Sequence, residues 1–401
     1  MSIFDSLKFQ PADEFNDIRK KLGVDTEPSK IDVSAGVYRG TNGESFILPA
    51  VARAKEHLQK NDKGHDYNLC LGIPEFVKST AKIAVGDKAT SENRVASCQT
   101  VGGTGACHLG AAFLSQSCGA KKFLLGVPAW PNYFPLIEQV GGTIETFEYY
   151  DTSTKSVNFD NIINALSSAA PNTVIILQLC CHNPTASDLT LDQWVEVGEI
   201  IKQRNLIPFF DGAYQGFASG SKEVDGEPVR KFIDIGLDVI VAQSFSKSLG
   251  LYGERVGCLH VVVSDVSKTA VVTDQLRYIF RAECSSSPAY GARIVSTIAN
   301  DVTLNLQWDS DLKMIAERLV EVRQQVHDKL TNTYKTPGNW ESLLRQRGLF
   351  WYSGLSQAQS KALLDDYHVY LPKSGRINVA GLNDSNIDAF CKAFDAVVRE
   401  H

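Results

Sequence analysis

Short runs of apolar residues alternate with amphipathic stretches through the middle of the chain. Lys122-Phe123-Leu124-Leu125-Gly126-Val127, Thr173-Val174-Ile175-Ile176-Leu177, Leu206-Ile207-Pro208-Phe209-Phe210 and Asp238-Val239-Ile240-Val241-Ala242-Gln243 are apolar on successive residues. That pattern predicts strands buried on both faces. Thr146-Phe147-Glu148-Tyr149, after the Gly141-Gly142-Thr143 turn, reads as a further strand. Thr190-Leu191-Asp192-Gln193 has capping-box form, and the helix it opens is expected to turn Leu191, Trp194, Val197 and Ile201 inward. A second helical pattern begins at Leu48, with Val51, Ala54 and Leu58 on one face. Strand, helix, strand alternation predicts an open, mostly parallel α/β sheet flanked by helices.

The two ends of the chain differ in texture. Residues from Met1 to about Lys30 are polar and charged, with Pro11 and Pro28, and read as an extended arm plus a short helix. Ile31 to Tyr38 is strand-like. From about Asp309 a long charged helical stretch reaches about Leu330, where Lys335-Thr336-Pro337-Gly338 breaks it. Gly348 to Tyr352, Val369 to Pro372 and Gly375 to Val379 read as strands, and a final helix closes the chain. The expected organisation is an arm and part of a small α+β domain over 1–45, a large domain over 46–310, and the rest of the small domain over 311–401.

Composition narrows the function. The chain has 401 residues, 43% of them hydrophobic, enough for a large core, and a formal net charge of −6. Without a basic stripe, nucleic acid is not an expected partner. No apolar run approaches the ~18 residues of a membrane span. Asp5, Asp13 and Glu14 argue against a signal or transit peptide, so a cytoplasmic protein is expected. Nine cysteines without Cys-x-x-Cys spacing fit free thiols in a reducing compartment. Cys180-Cys181-His182 is no metal site, because neighbours on a strand point to opposite faces. No metal is expected.

Chemistry gathers at the carboxyl ends of the predicted strands, where ligands of such sheets bind. His182-Asn183-Pro184-Thr185 follows one strand, Asp211-Gly212-Ala213-Tyr214 the next, and Ser244-Phe245-Ser246-Lys247 a third, with Arg255 eight residues beyond Lys247. A lysine in a semi-buried turn can lose its proton and attack a carbonyl. Serine hydroxyls and an arginine beside it suit a phosphate. An aldehyde cofactor with a phosphate tail needs both, and pyridoxal 5'-phosphate is such a molecule. Taken by itself the Lys247 segment fits a solvated Ser/Lys turn equally well.

Gly102-Gly103-Thr104-Gly105 precedes a helix and offers either an anion cradle or a structural helix start. It is not a dinucleotide fingerprint. Ala-Cys-His stands where a third glycine belongs, and no strand is expected to abut it with an acid ~20 residues on. Trp130 lies between Pro128 and Pro131 and can stack on a ring or simply pack in the core. Tyr67 in Gly64-His65-Asp66-Tyr67 reads as a surface residue, and Arg281 as a surface helix charge.

Assembled in order, these segments resemble the aspartate aminotransferases of the eukaryotic-type branch, within the fold-type I pyridoxal-phosphate enzymes. The likeness rests on Gly103-Thr104-Gly105-Ala106, His182 to Thr185, Asp211 to Phe217, Ser244 to Lys247, Tyr252-Gly253-Glu254-Arg255-Val256-Gly257 and Gly375-Arg376-Ile377-Asn378, and runs almost end to end. The resemblance implies that Lys247 bonds the cofactor aldehyde and later shuttles a proton. Asp211 would pair with the pyridine nitrogen, and Tyr214 and Asn183 with the phenolic oxygen. Gly103, Thr104, Ser244, Ser246 and Arg255 would hold the phosphate, and Trp130 would cover the ring.

It further implies a homodimer with shared sites, acting on small amino acids and 2-oxo acids. Tyr67 would reach the neighbour's phosphate and the N-terminal arm would lie across the partner. Arg376, with Gly36, Trp130 and Asn183, would take the substrate near its α-carboxylate, and the neighbour's Arg281 would take a distal carboxylate. Four positions depart from the family pattern: Tyr133 and Gln178 stand for histidines, Ala186 for a glycine and Ser286 for an asparagine. The implied activity is aspartate transamination. A broader enzyme that also uses aromatic amino acids, a catalytically inactive dimeric binding module and a NAD-dependent oxidoreductase are the alternatives, the last the weakest.

Overall fold

The computed structural model describes residues 2–10 and 12–400. Met1 and Pro11 of the expected arm, and His401, lie outside the described residues. A seven-stranded sheet forms the centre. Its strands are β1 (Val95–Val101), β2 (Lys122–Val127), β3 (Thr143–Glu148), β4 (Val174–Gln178), β5 (Ile207–Gly212), β6 (Val239–Ser244) and β7 (Val256–Val262). They lie in the order β1-β7-β6-β5-β4-β2-β3. Strand β7 runs antiparallel to both neighbours, while the β6-β5-β4-β2-β3 pairings are parallel. This is the mostly parallel α/β sheet the apolar runs predict.

The sheet buries both faces, so its inner strands β6 and β7 are buried at every position rather than alternately. Val239 to Ser244 are all buried, as are Val256 to Val262. Phe209, Leu259, Ile240 and Ala242 pack on one face, and Phe210, Val241, Ile175 and Val262 on the other. Helices cover both. Among them, α1 (Gly102–Ala112) lies across β7 and β6, and α2 (Tyr133–Gln139) follows β2. The capping box at Thr190 is present, with both reciprocal bonds made.

The terminal segments meet. Ile31–Asp32 pairs in parallel with Val369–Tyr370, and Phe350–Tyr352 pairs antiparallel with Arg376–Asn378. The helix Glu14–Val24 packs nearby, its Glu14 carboxylate accepting from the Lys373 backbone N–H (2.7 Å). No helix of the described residues is long and apolar enough to cross a membrane.

Several expectations need correction. The strand expected over Ile31 to Tyr38 has two residues, because side chains from the C-terminal segment take the carbonyls that a ladder would use. Arg376 Nη2 donates to Ser34 O (2.8 Å), and Asn378 Nδ2 to Ala35 O (2.5 Å) and Val37 O (2.8 Å). A strand does abut the glycine loop: β1 runs straight into α1, which begins at Gly102 rather than after Gly105. Its alternation of polar Ser97, Gln99 and Thr100 with small residues hides it from an apolar-run search. Leu191 does not turn inward; as the first residue of its helix it is 37% exposed. The long helix starts at Val302, before the charged texture begins, and runs unbroken to Asp328, across residue 310.

Candidate active site

Three of the parallel strands, β4, β5 and β6, end by delivering functional side chains to the same place. Beyond β6 the chain turns through Phe245 and Ser246 to Lys247. Asp211 is the fifth residue of β5, and Tyr214 follows two residues after that strand ends. Beyond β4, Asn183 arrives on a turn held by a partly buried carboxylate: Asp188 accepts from the Cys181 (2.7 Å) and His182 (2.9 Å) backbone N–H groups. Gln178 clamps the same residue from below. Asn183 N–H donates to Gln178 Oε1 (2.8 Å) and Gln178 Nε2 donates to Asn183 O (3.0 Å).

These side chains enclose a cavity of about 170 Å³. Of the residues singled out in the sequence, Gly36, Gly103, Thr104, Trp130, Gln178, Asn183, Asp211, Tyr214, Ser244, Ser246, Lys247 and Arg255 line it. Arg376 stands behind Asn183, to whose Oδ1 its Nη1 donates (2.9 Å). Its guanidinium is stacked between the rings of Phe350 (4.1 Å) and Phe15 (4.9 Å). Burial brings its pKa down to about 10, and its Nε has no partner. A buried guanidinium with an unused donor is prepared for a carboxylate.

Tyr67 and Arg281 do not reach this cavity. Tyr67 is 94% exposed, and Arg281 donates to Ser285 Oγ (2.9 Å) on the surface.

One end of the cavity is built for an anion. The first turn of α1 presents its free N–H groups there through Gly103 and Thr104. A Cβ on Gly102 (φ +70°) would sit 2.3 Å from Arg255 Nη2, and one on Gly103 would sit 2.7 Å from Ser244 Cβ. Only glycine lets backbone, arginine and serine close together here. Arg255 is aimed by donating to Tyr252 O (2.9 Å) and Ser246 Oγ (3.3 Å).

At the other end lies the acid and base chemistry. Burial lowers the Lys247 ammonium pKa and the guanidiniums of Arg255 and Arg376 add to that, while Asp211 opposes it. Lys247 Nζ sits over the Tyr214 ring, 4.9 Å from its centroid. Burial raises the Asp211 pKa; donation from Tyr133 and the charge of Lys247 pull it back. The Tyr133 hydroxyl donates to Asp211 Oδ2 at 2.6 Å. An amine whose pKa is lowered by burial, a supported carboxylate and an anion cradle in one cleft suit carbonyl chemistry on a phosphorylated ring.

A model of the family "Aminotransferase class I and II" matches residues 28–394. The chain belongs to the class I and II aminotransferases. Among relatives of this aminotransferase is the cytoplasmic aspartate aminotransferase of Schizosaccharomyces pombe, 37% identical over 99% of this chain and 98% of that one. The solved cytoplasmic aspartate aminotransferase of Saccharomyces cerevisiae superposes with a TM-score of 0.96 at 36% identity, covering 100% of this chain and 99% of that one. The aromatic-amino-acid aminotransferase of Burkholderia pseudomallei, covalently bound to pyridoxal phosphate, gives 0.96 at 35% identity over 99% and 100%.

Sequence reasoning missed Ala213 and Tyr252 as lining residues. It also missed Cys107, which borders Asp211 from behind with Tyr133. Cys107 lies four residues after Gly103, one helical turn along the same face, and that spacing is the signal that could have found it.

Proposed function

We propose that this aminotransferase uses pyridoxal 5'-phosphate to move the amino group of L-aspartate to 2-oxoglutarate, yielding oxaloacetate and L-glutamate in two half-reactions. The observation that carries the reading is the convergence of Lys247, Asp211, Tyr214, Asn183 and Arg255 on one cavity, in a chain whose relatives are aspartate aminotransferases. The residues fit the cofactor: the glycine, serine and arginine cradle offers donors for a phosphate, and Lys247 and Asp211 line the same cavity. When bound, the cofactor supplies an aldehyde for an amine and a ring that withdraws electrons from the substrate Cα.

In this reading the Lys247 amine, its pKa lowered by burial, would bond the cofactor aldehyde and afterwards hold and move a proton at the substrate Cα. Asp211 keeps a negative charge against the ring nitrogen. Tyr214 and Asn183 orient the phenolic oxygen, while Gly103, Thr104, Ser244, Ser246 and Arg255 fix the phosphate. Trp130 covers the ring. Arg376 grips the substrate α-carboxylate as a two-pronged donor beside Gly36, freeing Asn183 from one of its bonds.

The exposed Tyr67, Arg281 and apolar arm residues Ile3, Phe4, Leu7 and Phe9 support a homodimer in which Tyr67 and Arg281 complete the neighbour's site and the arm lies on the partner. In the same reading 1–45 and 311–401 form the small domain around the large domain of 46–310. A cytoplasmic location accords with the S. pombe and S. cerevisiae relatives.

Similarity to aromatic-amino-acid aminotransferases favours one second reading, a broader donor range. A panel of amino donors with 2-oxoglutarate as acceptor decides. The aspartate reading expects kcat/KM for aspartate to exceed that for tyrosine and phenylalanine, and equal values would replace it with the broader one.

A further inference from the structure

The least expected contact in the site is the one made by Tyr133. It opens α2, is 3% exposed, and donates to Asp211 Oδ2 over 2.6 Å. Behind the pair the wall is apolar, formed by Ala111, Leu136, Ile137, Ile176 and Phe209 with the Cys107 thiol. Water therefore has little to bind there, and on this side the carboxylate is supported by the phenol and the Cys107 thiol. The same ring meets Trp130 edge-to-face, with centroids 5.2 Å apart. One side chain thus touches both the carboxylate at the floor of the cavity and the indole at its mouth.

We propose that Tyr133 is a positioning residue: its hydroxyl fixes Asp211 as a charged acceptor facing the cofactor cavity, and its ring props Trp130 over the same cavity. The proposal rests on the cofactor reading above. A phenol suits this task differently from an imidazole. An imidazole gains or loses a proton near neutrality and changes the charge beside the carboxylate as it does so. The Tyr133 hydroxyl stays protonated, since burial first and the Asp211 charge next raise its pKa. The other titratable groups facing Asp211 are Lys247, Cys107 and Tyr214, and none is an imidazole. No imidazole beside Asp211 therefore changes its charge near neutrality.

The test is a pH titration of the visible absorption of the holoenzyme, with cofactor affinity and steady-state kinetics alongside. Tyr133→Phe keeps the ring against Trp130 and removes only the donor. Its absorption should titrate ~1 pH unit above wild type, because a carboxylate that has lost a donor is more basic and draws the ring-nitrogen proton toward itself. Its kcat should fall roughly ten- to a hundredfold while KM for the amino donor stays within about threefold. Tyr133→His restores a donor but should bring a second titration near neutrality that wild type lacks. That variant carries the test if Tyr133→Phe does not fold.

Wild-type titration curves in either folded variant would overturn the proposal, whatever happened to turnover. Failure of the wild type to bind the cofactor at all would instead overturn the reading of the site.

Discussion

The turn that presents Asn183 depends on a carboxylate whose ionisation works against folding. Asp188 is held by two backbone N–H groups, yet burial raises its pKa to about 6 from an ordinary 3.8. Those two hydrogen bonds and the charge of Arg347 oppose the rise, and Asp225 adds to it. In the unfolded chain the same group ionises near its ordinary value.

A folded-state pKa above the unfolded one means that the stabilising contribution is complete below about pH 4. It is lost as the pH rises through about 6. The full shift corresponds to ~3 kcal/mol at 1.36 kcal/mol per unit. The carboxylate retains some solvent contact, which reduces this to ~1–3 kcal/mol, with ~1–2 kcal/mol of the change falling between pH 4.5 and 7.5.

The perturbation is Asp188→Asn, which keeps one acceptor and cannot ionise. Urea unfolding of both proteins at several pH values gives the stability difference between them, in which the other titrating groups largely cancel. Stability of the wild type relative to the variant should fall by ~1–2 kcal/mol from pH 4.5 to 7.5. A difference that is flat with pH, or that grows in the wild type's favour as pH rises, would refute the reasoning.

Two further outcomes follow, the first from the proposed homodimer and the second from the glycine cradle. Arg281→Leu should cost aspartate and glutamate ~2–5 kcal/mol in kcat/KM, by leaving a distal carboxylate unpaired, and should leave phenylalanine nearly unchanged; steady-state comparison of the donors checks it. Gly103→Ala places a methyl 2.7 Å from Ser244 Cβ and should weaken cofactor binding by ~1–3 kcal/mol, measured by equilibrium dialysis.

Much of the site was legible because it is local. Asn183, Asp211, Tyr214 and Lys247 each stand at or just beyond the end of an apolar run. A parallel sheet brings such ends together without further information. Residues that depend on distant packing were not legible in that way. Nothing near Arg376 in the sequence foretells that Asn183, Ser34, Phe15 and Phe350 surround it, and only the family register marked it out.

Tyr133 was recognisable as a departure from the family's histidine, but the bond that gives it a role appears only once α2 is laid against the end of β5. Strand β1 was missed because polar Ser97, Gln99 and Thr100 break its apolar run. They are buried by hydrogen bonding instead: Ser97 with His260 Nδ1 (2.8 Å), Gln99 with Ile73 N–H (3.1 Å) and Pro288 O (2.8 Å), and Thr100 with Gly102 O (3.0 Å). The short segment after Asp32 left its ladder for a comparable reason, since Arg376 and Asn378 outcompete a strand for its carbonyls.

Lys247, in one cavity with Asp211 and the Arg255 cradle, is the amine proposed to bond the cofactor. Borohydride reduction of the yellow holoenzyme, followed by proteolysis and mass spectrometry, tests it most directly. The account predicts a pyridoxyl-phosphate mass on the peptide containing Lys247 and its loss in Lys247→Ala. The label on any other lysine, or its persistence in that variant, would contradict it.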